Sequence, residues 1–194
     1  MGLIRVIGGD LRGRRIRVPD QGVRPTSERA REAVFDILGP SFLNGARVLD
    51  LYAGSGALGI EALSRGADFA DFAERSRTVA RTLEENLATL GLSARGRVHV
   101  TDLDRVTLPP GGPWGVVFLD PPYDGGAGER WLRALAASTW PREGGLVVYE
   151  RRSGTSVRAP ETLVLTTERE YGDAAVAFYR TGGPDGPSPQ GGAC

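Results

Sequence analysis

The residues best suited to chemistry are Asp120-Pro121-Pro122-Tyr123. They follow the apolar run Val116-Val117-Phe118-Leu119, so the pattern places them where a buried strand gives way to a loop. Two prolines after a carboxylate stiffen the backbone and remove two amide donors. What remains is a carboxylate, bare carbonyls and an aromatic ring. That set of acceptors beside a flat surface suits a planar molecule carrying an amino group. The plain alternative is a proline-stiffened strand exit with no chemistry.

A second constellation could supply what the amino group reacts with. Asp50-Leu51-Tyr52-Ala53-Gly54-Ser55-Gly56-Ala57-Leu58-Gly59 follows one apolar strand and opens a helix, and Gly54, Gly56 and Gly59 match G-x-G-x-x-G. The physics is a tight turn that lets a ligand approach the backbone beside a helix N-terminus. The glycines alone would serve a nicotinamide dehydrogenase equally well. Asp50 separates the two readings: a carboxylate there would repel a pyrophosphate but suits an ammonium group, such as the methionine end of S-adenosylmethionine. Glu74 ends the next strand, where an acid takes ribose hydroxyls. Asp102 follows the third strand and could accept from an adenine amino group. Singly, each would serve as a surface or capping residue. Three acids after three consecutive strands around one glycine turn make a coherent cofactor site, at the carboxyl ends where open α/β sheets bind ligands.

The elements that must position these groups alternate. Strands are expected over 48–51, 69–73, 97–100, 116–119 and 146–149, with helices over 58–64, from the Ser76 cap to Gly91, and over 129–137. A closing antiparallel pair over 163–167 and 174–179 flanks Tyr171-Gly172-Asp173. The predicted fold is α/β: a Rossmann-like, doubly wound, mostly parallel sheet with an antiparallel edge. Ahead of it, strands over 3–7 and 14–18 form a hairpin. A helix capped by Thr26 or Ser27 then carries Ala30, Val34, Ile37 and Leu38 on one face and stops at Gly39-Pro40. We therefore expect a basic extension over 1–40, the catalytic domain over 41–180 and a disordered Gly/Pro-rich tail over 181–194.

Net charge is zero, but its distribution is uneven. Residues 1–31 hold eight arginines against Asp10, Asp20 and Glu28. Arg12, Arg14, Arg15 and Arg17 recur along the hairpin, with Arg15 and Arg17 on one strand face. Arg24, Arg29 and Arg31 lie outside the helix stripe and extend the basic surface. A local basic segment on a neutral protein suggests phosphate docking; the plain alternative is an edge hairpin whose charges prevent aggregation. The single cysteine, Cys194, and single histidine, His99, argue against a disulfide framework, a zinc site or a serine-type triad. No run approaches the ~18 apolar residues of a membrane span, and no signal peptide is visible. The setting expected by default is cytoplasmic, without metal or membrane.

With these residues quoted, the chain resembles the class I S-adenosylmethionine-dependent methyltransferases that act on exocyclic amino groups. Within them it is similar to the bacterial 16S ribosomal RNA guanine-N2 methyltransferase family. The resemblance rests on RVIGGDLRG at 5–13, RPTSERAREAVF at 24–35, DLYAGSGALGIEALSRGA at 50–67, Glu74, DPPY at 120–123 and Tyr171-Gly172-Asp173. It implies that Asp50, Gly54, Ser55 and Gly56 line the methionine and ribose part of S-adenosylmethionine, Glu74 the ribose and Asp102 the adenine. Arg24 and Thr26 fall in a segment that closes over the cofactor or the base. It implies 16S rRNA, within the assembled small subunit, as the partner of a monomeric enzyme. Asp120 and the Pro121 carbonyl would accept the two N–H bonds of the amine while Tyr123 stacks on the base. DPPY itself does not distinguish guanine from adenine or cytosine. The remaining rivals are an adenine-N6 or cytosine-N4 methylase, a protein-glutamine methylase, a dehydrogenase and a non-catalytic RNA-binding module.

Overall fold

The computed structural model describes residues 2–19, 28–123, 126–138 and 144–182. The first two strands, β1 (Gly2–Arg5) and β2 (Arg15–Val18), pair antiparallel as a separate ribbon. Alternation in β2 buries Ile16 and Val18 and leaves Arg15 and Arg17 exposed on the shared face predicted for them.

Helix α1 (Glu28–Leu43) buries Ala30, Val34, Phe35 and Leu38. It does not stop at Gly39-Pro40 as expected. The helical path breaks at Gly39 (φ 63°, ψ 169°), and Pro40 starts one more turn that carries Leu43 into the core. Proline suits a first helical position because its missing N–H is not required there.

The main sheet contains β3 (Arg47–Leu51), β4 (Phe69–Glu74), β5 (Gly96–Val100), β6 (Val116–Leu119), β7 (Leu146–Arg152), β8 (Leu163–Tyr171) and β9 (Ala174–Thr181). Its order is β5-β4-β3-β6-β7-β9-β8. Strands β3 to β7 pair parallel, and β9 runs antiparallel between β7 and β8. Helices α2 (Ala57–Ser64), α3 (Arg77–Thr89) and α4 (Ala127–Ala137) make the crossovers. The doubly wound parallel sheet with an antiparallel edge is therefore as predicted. Ser76 caps α3 by accepting from the Val79 amide, and Val79, Leu83 and Leu87 face inward.

Each sheet face has its own core. Val48, Phe72, Phe118 and Val148 meet α1, α2 and α3, and Val6 and Ile16 from the hairpin segment join that cluster. Leu49, Leu51, Val117, Leu119 and Val147 pack on Trp131, Leu132 and Leu135 of α4, with Trp114 beside them. Trp114 and Trp131 are both buried in this second core. Trp140 lies outside the described residues.

Two buried carboxylates weld the frame. Glu61 is fully buried on α2 and accepts from the Ile7 and Gly8 amides (2.8 and 2.7 Å) and from Arg65 (2.7 Å). Asp71 on β4 accepts from Trp114 Nε1 (2.8 Å) and Arg47 (2.9 Å), and His99 Nε2 lies 2.9 Å from its other oxygen. A buried ion persists only when its lone pairs are engaged in this way. His99 thus belongs to the structural frame.

Candidate functional site

The sheet order sets the geometry. Read along the carboxyl edge of the parallel strands, Asp102 follows β5, Glu74 ends β4, the glycine turn follows β3, Asp120 follows β6 and Glu150 lies near the end of β7. The chain winds outward in opposite directions from β3 and β6, so the crevice between them is the topological switch point. The glycine turn and DPPY are its two lips.

The turn after β3 is unusual backbone. Tyr52 (φ 63°), Gly54 (φ 53°) and Gly56 (φ 81°) all take left-handed conformations. A non-glycine residue there is strained and marks a turn held by its surroundings. A Cβ on Gly56 would lie 2.1 Å from Leu83 Cδ1, and one on Gly59 would lie 2.2 Å from Phe72. The first position needs glycine for the turn and the second for close helix–sheet packing.

The acids hold this turn from both sides. Asp50 Oδ2 accepts from the Gly59 amide at 2.9 Å, so a residue on β3 caps the first turn of α2. Asp50 is buried, and burial pushes its carboxyl up from 3.8 to about 7; the Gly59 bond opposes this shift and the nearby Glu74 charge adds to it. Glu74 Oε2 accepts from the Gly54 amide (3.1 Å) and Oε1 from the Ser76 amide (2.8 Å), joining the turn to the start of α3. Asp102 is exposed; it accepts from the Asp104 amide (3.1 Å) and pairs with Arg105 (3.4 Å). Ser55 is buried, and its carbonyl accepts from Asn86.

At the other lip, Asp120 is half-buried, Pro121 buried and Tyr123 half-buried. The Tyr123 hydroxyl donates to Glu150 Oε1 (3.3 Å), and the Arg152 guanidinium lies 5.7 Å over the Tyr123 ring. One ring face thus carries a cation already.

The basic residues divide. Arg12, Arg14, Arg15, Arg17 and Arg29 are exposed. Arg14 reaches the Thr89 carbonyl and Arg17 pairs with Glu85. Arg31 is a correction: it is only 1% exposed, not part of a basic surface. Its Nη2 donates to the Arg5 carbonyl (3.0 Å), and desolvation lowers its pKa against the pull of Glu61 and Glu28. Position outside the apolar stripe failed here because the hairpin covers that side of α1. Arg24 and Thr26 lie outside the described residues.

Sequence reasoning missed four residues. Tyr52 accepts from Trp131 Nε1 (3.1 Å) and anchors the turn to α4. Asn86 donates to the carbonyls of Arg17 and Ser55 and accepts from the Arg17 amide, joining hairpin to turn. Glu150 and Arg152 carry no motif; only the β6–β7 register brings them to DPPY.

An S-adenosylmethionine-like ligand is compatible with this cradle. Its turn has small residues and left-handed backbone, and the adjoining donor set is acidic, which suits ammonium and ribose hydroxyls better than a pyrophosphate.

Residues 4–180 match the family described as conserved hypothetical protein 95. Ribosomal RNA small subunit methyltransferase D of Escherichia coli K12 is 38% identical over 181 residues, covering 92% of this chain and 90% of that protein. The Haemophilus influenzae protein of the same name is 35% identical over 183 residues, covering 92% and 94%. The solved structure of yhhF from Escherichia coli superposes with a TM-score of 0.84 at 38% identity, over 93% of this chain and 99% of that one. An RNA methyltransferase from Salinibacter ruber, solved with S-adenosyl-L-homocysteine, matches with a TM-score of 0.62 at 13% identity; that likeness concerns the fold alone.

Proposed function

The chain belongs to the conserved hypothetical protein 95 family, and from that premise we propose that it methylates the exocyclic N2 of a guanine in 16S rRNA of the small ribosomal subunit. It is a methyltransferase of class I fold, and S-adenosylmethionine is its methyl donor. One observation carries the proposal: the DPPY loop and the acid-lined glycine turn leave adjacent parallel strands, β6 and β3, at the switch point. A rival dehydrogenase would use the turn and leave DPPY idle. A bare RNA-binding module would use neither.

The proposed roles follow from the groups present. Asp50, Gly54, Ser55, Gly56 and Glu74 hold the donor, with Asp102 toward its adenine and Thr26 in the segment that closes over it. When bound, the donor supplies an electrophilic sulfonium methyl. The amine of guanine is a poor nucleophile because its lone pair is delocalised into the ring. Asp120 and the Pro121 carbonyl accept its two N–H bonds, favour a lone pair localised on nitrogen and directed at the methyl carbon, and stabilise the positive charge growing there. The N–C bond forms as the sulfonium C–S bond breaks to leave S-adenosylhomocysteine, and the surplus N–H proton then passes to Asp120 or water. Pro121 and Pro122 lack amide hydrogens, so no backbone donor competes for that lone pair. Tyr123 stacks on the base, which enters unstacked from its neighbours. Fixed alignment of this kind removes on the order of 7–11 kcal/mol from a barrier.

The basic hairpin forms the RNA side of the proposal, with residues 1–40 as the docking extension, 41–180 as the catalytic part and 181–194 as a tail. Arg12, Arg14, Arg15, Arg17 and Arg29 contact phosphates; Arg24 would join them. Alanine at Arg12 and Arg15 together is expected to weaken binding to the small subunit regardless of sequence. It should flatten the plot of log affinity against log salt by about two, one for each lost contact. An unchanged slope in a filter-binding titration would remove the hairpin from the interface.

The function itself is tested by mass spectrometry of digested 16S rRNA from a deletion strain, before and after treatment of its isolated subunits with the enzyme. One N2-methylguanine should be missing and then restored. A missing mark on adenine or cytosine would overturn the base assignment. Restoration on naked RNA but not on subunits would overturn the assembled substrate.

A further inference from the structure

We infer that Glu150 reads the target base, accepting from guanine N1–H beside the amine held by Asp120. This deepens the guanine-N2 proposal and rests on it. The argument starts from register. Leu119 of β6 pairs with Tyr149 of β7, so Asp120 and Glu150 come next on adjacent parallel strands, Asp120 as the first residue past β6 and Glu150 still within β7, where it pairs with Val176 of β9. Alternation along β7 buries Tyr149 against α4 and turns Glu150 to the opposite face, the face of Val148. Tyr123 then ties Glu150 to the DPPY loop, its hydroxyl donating to Oε1 at 3.3 Å. Arg152, two residues on and therefore on the same face, places its guanidinium over the ring of that tyrosine. One carboxylate oxygen is thus engaged by the residue proposed to stack on the base.

The chemistry of the three candidate bases differs at the ring nitrogen next to the amine. Guanine presents an N–H donor there, whereas adenine N1 and cytosine N3 present lone pairs. A carboxylate next to Asp120 accepts from guanine and repels the other two. DPPY supplies the amino-group chemistry, and Glu150 supplies the choice of ring.

The test uses small subunits reconstituted on ligated 16S rRNA carrying guanine, 2-aminopurine, adenine or cytosine at the methylated position. 2-Aminopurine keeps the 2-amino group but has an unprotonated N1. The wild-type enzyme should methylate guanine about 10- to 100-fold faster in kcat/KM, the range expected for one hydrogen bond to a charged group. Glu150→Gln, whose amide can donate to N1, should shrink or invert that ratio while S-adenosylhomocysteine affinity stays unchanged. Equal wild-type rates on the two bases overturn the inference without any variant. So does a Gln variant that binds S-adenosylhomocysteine normally and keeps the wild-type ratio; in both cases methylation of guanine N2 by the wild type leaves the underlying proposal standing. Wild-type transfer to adenine or cytosine at that position overturns both together.

Discussion

Replacing Asp120 with alanine is expected to lower the rate of methyl transfer by about a thousandfold or more and to leave S-adenosylhomocysteine affinity within about a factor of two. The magnitude follows from the role proposed for the carboxylate. Removing one preorganised group that stabilises developing charge costs roughly 10²–10³ in kcat, and in the proposed mechanism Asp120 also fixes the direction of the amine, where misplacement by about 1 Å costs a further 10²-fold. The split between transfer and cofactor binding follows from topology. Asp120 leaves β6, whereas the turn, Asp50 and Glu74 belong to β3 and β4 and are held by Gly59, Gly54 and Ser76. Asp120→Asn should fall between the two, because its amide oxygen still accepts one N–H without the negative charge. Single-turnover transfer to isolated small subunits, run beside calorimetry with S-adenosylhomocysteine, makes the check. Unchanged turnover in the alanine variant would remove Asp120 from the chemistry.

Much of this geometry was legible because local signals agreed. The apolar run at Val116–Leu119 is β6 to the residue, and the Ser76 cap with its Val79, Leu83 and Leu87 stripe is α3. Short apolar strands separated by amphipathic helices admit few topologies once crossovers are right-handed. What stayed hidden was tertiary. Arg31 reads as a surface cation from the helix period, yet the hairpin closes over it and its guanidinium holds the Arg5 carbonyl. Gly39-Pro40 reads as a stop, yet burial of Leu43 draws the chain through another turn. Asp50, Glu74 and Asp102 are legible as acids at strand ends, but not the fact that backbone amides already engage them. Glu61, Asp71 and Asn86 join segments far apart in sequence, and no spacing rule detects such contacts.

That engagement changes how the acids proposed to hold the cofactor would work. Glu74 offers both oxygens to backbone amides, so its position beside the turn is fixed before any ligand arrives. A ribose would meet a carboxylate whose orientation costs nothing further to establish. The same preorganisation extends to the hairpin proposed to meet RNA through Asn86, which bonds the backbone of Arg17 on the hairpin and the Ser55 carbonyl in the turn. The two surfaces on which the proposed reaction depends therefore share one buried amide.

Asp50 gives the second large effect, a trade of stability against binding. Its carboxyl is pushed up to about 7 from an ordinary 3.8, chiefly by burial. Because the folded-state value is the higher one, the folded protein holds a proton that the unfolded chain has released between roughly pH 4 and 7. Stability from this group is therefore full below about pH 4 and is lost as pH rises through 7, by on the order of 4 kcal/mol. Asp50→Asn keeps an acceptor for the Gly59 amide and removes the ionisation. The variant should melt at higher temperature than wild type at pH 8, with the gap closing as the pH falls toward 4. Ligand affinity should move the other way. If the ionised carboxylate meets the ammonium of S-adenosylhomocysteine, wild-type affinity declines by up to about tenfold per pH unit below 7, and binding near pH 6.5 takes up the cost by releasing a proton. The asparagine variant should bind about 10- to 100-fold more weakly at pH 8 and show no such decline. Thermal melts across pH and calorimetry in two buffers of different ionisation enthalpy measure both halves. A variant that gains stability but keeps wild-type affinity and its pH profile would make Asp50 purely a cap on α2, and the ammonium would need another partner.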